Sequence, residues 1–358
     1  CYNFIGDLTL PSSIRSIGNY SFYNCSGFTG NLNITNSVES IDDGAFYQCS
    51  GFTGDLIIPN NVRYLGNGSF SGCTGFNGKL SISKNIAKIV DDTFNNCYGL
   101  IGDLTIHDSV TSIGNSSFYN CYGLNGEITL SDKVSIIDEN AFYNCFGLTG
   151  QLKLPDSLRS IGKSAFFNCS NLNGDLKIPD SVTSIEDKAF SGCSGFNGTL
   201  HISENLVKIL DYIFFDCSNL TGDLKIPESV ISISIGSFSH CSNFNGNLVI
   251  PDNVFAIGEG AFFECSKLKG DLKIPDNVQS LGENAFSGCV GFDGYLTISN
   301  KLTSIRDFTF RGCKNLKGEL KIPESVKSID IEAFCECSGF TGSLTIPNTV
   351  ISVDKSAF

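Results

Sequence analysis

The chain has 358 residues, of which 41% are hydrophobic and 17% are charged. Its formal net charge of -13 argues against a nucleic-acid partner, because phosphate binding needs clustered Lys and Arg. No apolar run approaches the roughly 20 residues of a membrane span, so we expect membrane attachment only through an anchor outside this sequence.

A 24-residue repeat organises the whole chain. Cysteine recurs at this step from Cys1 to Cys337, and only Cys335 lies outside the series. Glycine and phenylalanine keep the same step, from Gly6 to Gly342 and from Phe22 to Phe358. A fixed period indicates stacked repeats rather than separate globular domains. We therefore expect residues 1–358 to form one domain of about fifteen units, a piece of a longer chain whose ends are cut within repeats.

The first predicted element of each repeat is a short strand. Leu152, Lys153 and Leu154 alternate apolar and polar residues, as a half-buried strand does. The same pattern recurs over 104–106, 176–178 and 272–274. One strand per repeat, always in the same direction, builds a parallel sheet with right-handed crossovers. The sequence predicts an α/β repeat solenoid that rises about 4.8 Å per repeat.

A bend follows the strand. Proline, which has no N–H for a sheet, occurs only directly after the strand, at Pro11, Pro59, Pro155, Pro179, Pro227, Pro251, Pro275, Pro323 and Pro347. Two residues later most repeats have Ser or Asn, whose side chains we expect to satisfy backbone groups of the bend. Lys133 and Lys301 interrupt this column and predict looser bends.

The far side of the repeat carries a second apolar pair, such as Val182 with Ile185, and then Phe followed three residues later by Cys. This last spacing suits a single helical turn, and we expect short turns or helical turns on this face. The second residue after each Cys is Gly or Asn except at Lys267, which predicts a left-handed backbone there. The sequence assigns a structural ladder to these columns, including Phe22, Phe46, Phe70, Cys25, Cys49 and Cys73.

The repeat C-x-[GN]-[FL]-x-G-x-L-x-I-P-x-[SN]-V-x-x-I-G-x-x-A-F resembles the BspA-like, or Treponema pallidum-type, leucine-rich repeat over the whole chain. The unit is one residue longer than is usual for that class, in the segment "FTGD". The resemblance implies a right-handed leucine-rich repeat array, with a parallel sheet on one face. It also implies a surface or secreted protein of a mucosal bacterium or parasitic protist, which adheres to host matrix proteins or cells.

The outward strand positions are the candidate binding surface. In the later repeats one column is mostly acidic and the next is mostly basic. One interpretation is a solvated ladder of mutually compensating charges. The other is a recognition surface for a protein or glycan ligand. The candidate residues are Lys153, Asp175, Lys177, Asp223, Lys225, Asp271, Lys273, Tyr295, Glu319 and Lys321.

The cysteines are better explained as buried free thiols than as disulfides, because fifteen equivalent residues in one column cannot all pair. Cys335 is either an exposed reactive thiol or a drifted residue. No C-x-x-C pair is present, and the three histidines, His107, His201 and His240, suggest no catalytic triad. We therefore predict no metal site, no cofactor and no enzyme activity.

Two functions stay open. The first is an extracellular adhesin that binds host matrix proteins, cells or carbohydrate. The alternative is an intracellular or structural scaffold that binds proteins of the same cell. A solenoid serves either purpose, since stacking creates a long surface of near-constant geometry. The family resemblance favours the adhesin, at the cell surface or outside the cell.

Overall fold

Strands of only two residues pair successive repeats in the computed structural model, which describes residues 4–358. Contacts group the chain into two units, Cys1–Gly174 and Asp175–Phe358, and repeats stack in parallel register within each. The predicted repeat solenoid is confirmed, with about 14 turns of about 24 residues. The described residues contain no helix, so a helical turn between Phe and Cys is not confirmed, and the far side of the repeat consists of short turns.

The longer parallel ladders, sheets of three to five strands each, run through the second apolar pair of the repeat. Ser112 pairs with Ile136, and Ile113 with Ile137, so the register steps by one repeat. The sequence predicted one strand per repeat and missed this second one. In the first unit the ladder strands are β1 (Ser16–Ile17), β3 (Ser40–Ile41), β6 (Tyr64–Leu65), β8 (Lys88–Ile89), β10 (Ser112–Ile113), β12 (Ile136–Ile137) and β14 (Ser160–Ile161). In the second they are β17 (Ser184–Ile185), β19 (Lys208–Ile209), β21 (Ser232–Ile233), β23 (Ala256–Ile257), β25 (Ser280–Leu281), β27 (Ser304–Ile305), β28 (Ser328–Ile329) and β29 (Ser352–Val353).

The strands at the Leu–x–Ile position form separate two-stranded sheets instead of one continuous sheet. The pairs are β5 (Leu56–Ile57) with β7 (Leu80–Ser81), β9 (Leu104–Thr105) with β11 (Ile128–Thr129), β16 (Leu176–Lys177) with β18 (Leu200–His201), β20 (Leu224–Lys225) with β22 (Leu248–Val249), and β24 (Leu272–Lys273) with β26 (Leu296–Thr297). Two more pairs lie just before this position: β2 (Gly30–Asn31) with β4 (Phe52–Thr53), and β13 (Gly150–Gln151) with β15 (Leu172–Asn173). The strand predicted over 152–154 thus lies over Gly150–Gln151.

Reciprocal hydrogen bonds explain the pairing. Gly54 is left-handed, with φ of 75°, and donates its N–H to Asn77 Oδ1 at 2.8 Å. Asp55 Oδ1 in turn accepts the N–H of Lys79 at 2.7 Å. The equivalent bonds recur between Gly102–Asp103 and the repeat of Asn125, and in the second unit at Gly222–Asp223 and Gly270–Asp271. At this position the repeats are therefore bonded in pairs.

The far side of each repeat, which we call the turn face, consists of turns that contain left-handed residues at fixed positions. Ser116 and Asn120 are left-handed, with φ of 52° and 57°, so the right-handed geometry of a helix cannot continue between them. The N–H of Phe118 instead donates to Ala141 O in the next repeat at 2.9 Å, while Tyr119 and Cys121 donate back within the turn, to Ser116 O and Phe118 O. Successive repeats are stitched together here by main-chain bonds.

The left-handed backbone predicted two residues after Cys is wrong. Left-handed residues lie one and five positions before Cys, as at Asn120 and Ser116. Where glycine lies two residues after Cys, the preceding repeat approaches closely: a Cβ on Gly51 would lie 2.2 Å from Phe28 O. Asn219, at the equivalent position, donates its side-chain N–H to Ser194 O at 2.8 Å.

The Ser and Asn column at the bend bonds between repeats. Ser157 Oγ donates to Val134 O of the preceding repeat at 2.6 Å, and Asn253 Nδ2 donates in the same way to Glu228 O at 2.8 Å. The bend at Lys133 is not left loose, because Ser131 Oγ accepts the Lys133 N–H at 3.0 Å. Ser299 does the same for Lys301 at 3.2 Å.

The core consists of continuous apolar columns. Phe118, Phe142 and Phe166 are fully buried and stack at 5.3 and 5.1 Å between ring centroids. Phe46 and Phe70 are likewise buried, whereas Phe22 near the chain start is half-buried. Leu, Ile, Val and Cys columns fill the remaining interior. Each repeat buries its apolar side chains against its neighbours, so stacking creates the core.

Candidate binding surfaces

The candidate residues lie at the outward strand positions, which we call the strand face, and they are exposed. The aspartates among them also bond to the backbone of the next repeat. The Oδ1 atoms of Asp175, Asp223 and Asp271 each accept a backbone N–H of the next repeat at 2.7 Å. The Thr199 hydroxyl also donates to Asp175, and these bonds lower the pKa of that carboxyl. These carboxylates therefore hold neighbouring repeats together. Fewer side chains of the strand face are left to bind a ligand.

The lysines of this face pair weakly with acids. Lys225 Nζ lies 3.7 Å from Glu204 Oε1, in the bend of the preceding repeat. The equivalent contact joins Lys273 Nζ to Asp252 Oδ1 at 3.2 Å. Lys321 Nζ lies 4.0 Å from Glu319 Oε2 on its own strand. Because all these groups are substantially exposed, each pair contributes little to stability.

Strand register sets the spacing of the lysines in the second unit. Lys177 lies opposite His201, Lys225 opposite Val249, and Lys273 opposite Thr297. The basic residue therefore returns every second repeat, at intervals of roughly 10 Å. We call this series the lysine row; it comprises Lys177, Lys225, Lys273 and Lys321.

Two other predicted residues lie apart from the row. Lys153 is exposed in the first unit, in a repeat whose strand pairing is shifted to Gly150–Gln151. Tyr295 is 59% exposed, and Lys317 Nζ lies 5.9 Å from its ring centroid. The structure therefore brings together only part of the predicted surface.

The thiols belong to the interior. The cysteines of the repeat series from Cys25 to Cys313 are buried and form no disulfide, which confirms their interpretation as buried thiols. Cys1 lies outside the described residues. Cys121 Sγ donates to Phe94 O at 3.0 Å, and the same bond recurs along the column. Burial raises the pKa of the Cys145 thiol to about 12. Cys335 is free and half-buried.

The histidines are placed separately. His201 Nε2 lies 3.4 Å from Asp180 Oδ1, and His240 Nδ1 lies 3.1 Å from Glu264 Oε2. Within residues 4–358, no cluster of three or more His, Cys, Asp or Glu side chains is arranged to bind a metal ion. Over the same range, no helix of membrane-spanning length and apolarity occurs.

The turn face has two grooves that the sequence analysis missed. In the first unit a groove of about 480 Å³ lies beside Tyr20, Gly44, Gly68 and Asp92, and we call it the first groove. In the second unit a groove of about 320 Å³ lies beside Tyr212, Gly236, Gly260 and Asn284, and we call it the second groove. The sequence signal is the order Tyr, Gly, Gly, Asp or Asn in one column, repeated eight units later.

The repeat geometry agrees with a family comparison that covers the chain. A model described as a BspA type leucine rich repeat region of six copies matches residues 1–125, 100–174, 125–247, 174–293 and 245–358. The protein belongs to the BspA-type leucine-rich repeat family. No curated protein matches this chain.

One solved structure supports the fold, and two more are similar to the chain at lower TM-scores. A leucine-rich repeat protein from Bacteroides ovatus is 22% identical, with a TM-score of 0.58 over 75% of this chain and 78% of that one. A leucine-rich cell surface protein from Faecalibacterium prausnitzii is 23% identical, with a TM-score of 0.49 over 98% and 87% of the two chains. The pneumococcal vaccine antigen PcpA is 20% identical, with a TM-score of 0.39 over 97% and 73%.

Proposed function

We propose that this protein is a non-enzymatic leucine-rich repeat protein of the cell surface or the extracellular space, which adheres to host matrix proteins or cells. The observation that carries the proposal is the lysine row, a set of exposed cations at regular intervals on paired strands. Strand pairing fixes the spacing before a partner arrives, which reduces the entropy lost on binding.

The charge pattern favours a partner with acidic groups. The chain as a whole carries a net charge of -13, so the row is a local basic feature on an acidic protein. Its ion pairs are exposed and weak, and a partner carboxylate can replace Glu204 beside Lys225 at small cost. Complementary charge across an interface mainly increases association rate and specificity.

The surface location follows from the resemblance of the repeat to the BspA-type leucine-rich repeat. Buried thiols suit such a location, because burial raises their pKa and shields them from oxidants. Free thiols are also typical of reducing compartments, and this favours the second candidate function, an intracellular scaffold.

The test is binding of the purified protein to epithelial cells and to immobilised matrix proteins. The test variant changes the four lysines of the row to Glu. The control variant changes Lys208, Lys269, Lys301 and Lys327 to Glu, which alters net charge equally at exposed positions of the same unit. We expect saturable binding that the row variant loses by at least tenfold and the control retains.

Equal loss in both variants would indicate only a dependence on net charge and would contradict a site at the row. Absence of binding by the parent protein to cells and matrix would overturn the adhesin proposal. Retention of far-UV circular dichroism and of the thermal midpoint would establish that the variants are folded.

A further inference from the structure

The turn face offers a second candidate binding surface, apart from the lysine row. We propose that the first and second grooves, on the turn face of each unit, are equivalent binding sites for a neutral oligosaccharide. The assignment is independent of the lysine row, which lies on the strand face.

The first groove is built around an exposed aromatic ring. Tyr20 is 59% exposed, and its ring lies over Gly44, where an added Cβ would be 2.4 Å from Tyr20 Cε1. The next residue in the column, Gly68, leaves space: its Cβ would meet only ordinary contacts, at 3.7 Å from Ser71 and Tyr47. The hollow therefore exists because two successive side chains are missing beside the ring.

The second groove repeats this arrangement around a half-buried ring. Tyr212 lies over Gly236, where an added Cβ would again be 2.4 Å from the Tyr Cε1 atom. Gly260 leaves space, with Phe263 Cβ at 3.7 Å from the position of its Cβ. The column ends at Asn284, which corresponds to Asp92 in the first groove. Each Tyr ring also meets a second aromatic edge-on at 5.8 Å.

Stacking alone does not require these glycines. The column is left-handed throughout, and Ser116, Asn140 and Ser164 occupy it elsewhere with φ of 52° to 55°. Gly44 and Gly236 are needed to seat the Tyr rings, whereas Gly68 and Gly260 keep an adjacent volume empty. Because the same order occurs once in each unit, the hollow is a repeated feature of the surface.

The two grooves share three features. Each offers a tyrosine ring, a space beside glycine and side-chain oxygens, which come from Asp92 in the first groove and from Glu259 and Asn284 in the second. A saccharide ring presents C–H groups that suit the negative face of an aromatic ring, and hydroxyls that suit amide, carboxylate and backbone groups. One carboxylate lines each groove, Asp92 in the first and Glu259 in the second, so both grooves offer oxygen acceptors to sugar hydroxyls and disfavour an acidic sugar.

Two observations define the ligand further. Lys188 Nζ already lies 5.8 Å from the Tyr212 ring centroid, which disfavours a second cation there. From Tyr20 to Asp92 the column advances by three repeats, roughly 14 Å at the spacing of paired strands. This length suits a short chain of sugars better than a single one.

The experiment fills the hollows without changing the backbone. Gly68→Asn and Gly260→Asn place a side chain in each groove, and both should fold because Asn140 has φ of 55° in the same column. Ser164→Asn is the matched control outside the grooves. Chitotriose, cellotriose, maltotriose and N-acetyllactosamine are titrated by calorimetry and by saturation-transfer NMR.

We expect at least one of the four sugars to bind with two sites per chain. Each single variant should retain one site, and the double variant should lose affinity at least tenfold, while the control and the lysine-row variant bind like the parent protein. If either Asn variant unfolds, Tyr20→Asn and Tyr212→Asn replace it, since they remove the ring in the same left-handed column.

Failure of all four sugars at millimolar concentration would overturn the proposal. So would sugar binding that the double variant retains in full. A trilysine peptide is tested in parallel: if it binds and only the double variant loses it, the grooves recognise cationic protein segments instead. Loss of sugar binding in the lysine-row variant alone would place the site on the strand face.

Discussion

The phenylalanine column and the lysine row follow the same repeat but differ in how strongly neighbours constrain them. Phe142 is fully buried between two rings at 5.3 and 5.1 Å. Lys273 is exposed and contacts one carboxylate at 3.2 Å. Burial on all sides allows one residue type per position, whereas exposure allows drift. Repeat positions that keep one residue type in this protein are therefore the packed ones. Positions that vary between repeats lie on the surface, where they are able to provide specificity.

Alkaline pH should give the largest effect, because it acts on the whole buried column at once. The folded-state pKa of Cys97 and Cys145 is raised to about 12, from an ordinary value of 9.0. Their contribution to stability is therefore complete below pH 9 and declines as pH rises from 9 to 12. Each such thiol should cost about 1.4 kcal/mol per pH unit in that window. Thermal melts between pH 7 and 11 measure the decline.

A thiol reagent at pH 8 provides the control for this effect. The native protein should react only at its less buried cysteines, and the unfolded protein at all of them. Rapid reaction of the buried cysteine column in the native state would contradict its burial, which distinguishes it from the exposed lysine row.

Removing one ring should break the phenylalanine column locally. Phe142→Ala leaves a cavity between Phe118 and Phe166 and should cost about 3–5 kcal/mol. The neighbouring Tyr143→Ala is the control, because Tyr143 is half-buried although it also stacks on Tyr119. Native-state hydrogen exchange over residues 97–168 measures both losses. Equal losses of stability in the two variants would show that burial does not determine how much a ring contributes to its column.

Replacing glycine with alanine should reduce stability where neighbouring atoms are close and have little effect where space is open. Gly99→Ala places a Cβ 2.1 Å from Phe76 O and should destabilise the first unit by about 1–3 kcal/mol. Gly18→Ala meets nothing within 4 Å and should change stability by less than about 0.5 kcal/mol. The two thermal midpoints give the comparison, and coincident midpoints would refute the close approach at Gly99.

The strand face should give the smallest effect. A double-mutant cycle on Lys273 and Asp252 should yield a coupling of less than about 1 kcal/mol, which falls further in 1 M salt. Urea unfolding measures the coupling. A larger, salt-independent value would show that the lysine row is a structural feature and would remove its freedom to exchange partners.

The repeat period predicted the fold because identical positions must meet identical neighbours in a stack. The Phe and Cys columns were assigned to the interior on this ground, as at Phe46 and Cys49. The candidate site was predicted less well. Asp175 has the spacing of a surface residue, yet its carboxylate joins two repeats, and spacing alone cannot distinguish these roles. The single-domain assignment and the adhesive function stay predictions.

The sequence by itself determined the period, the parallel stacking and the columns that must be apolar, because these follow from repetition and burial. Only the tertiary structure decided where the hydrogen bonds go. The second strand ladder, the pairing of repeats through Asn77 and Asp55, and the left-handed residues of the turn face all depend on contacts between repeats. Such contacts join residues about 24 positions apart, so no local pattern within one repeat specifies them.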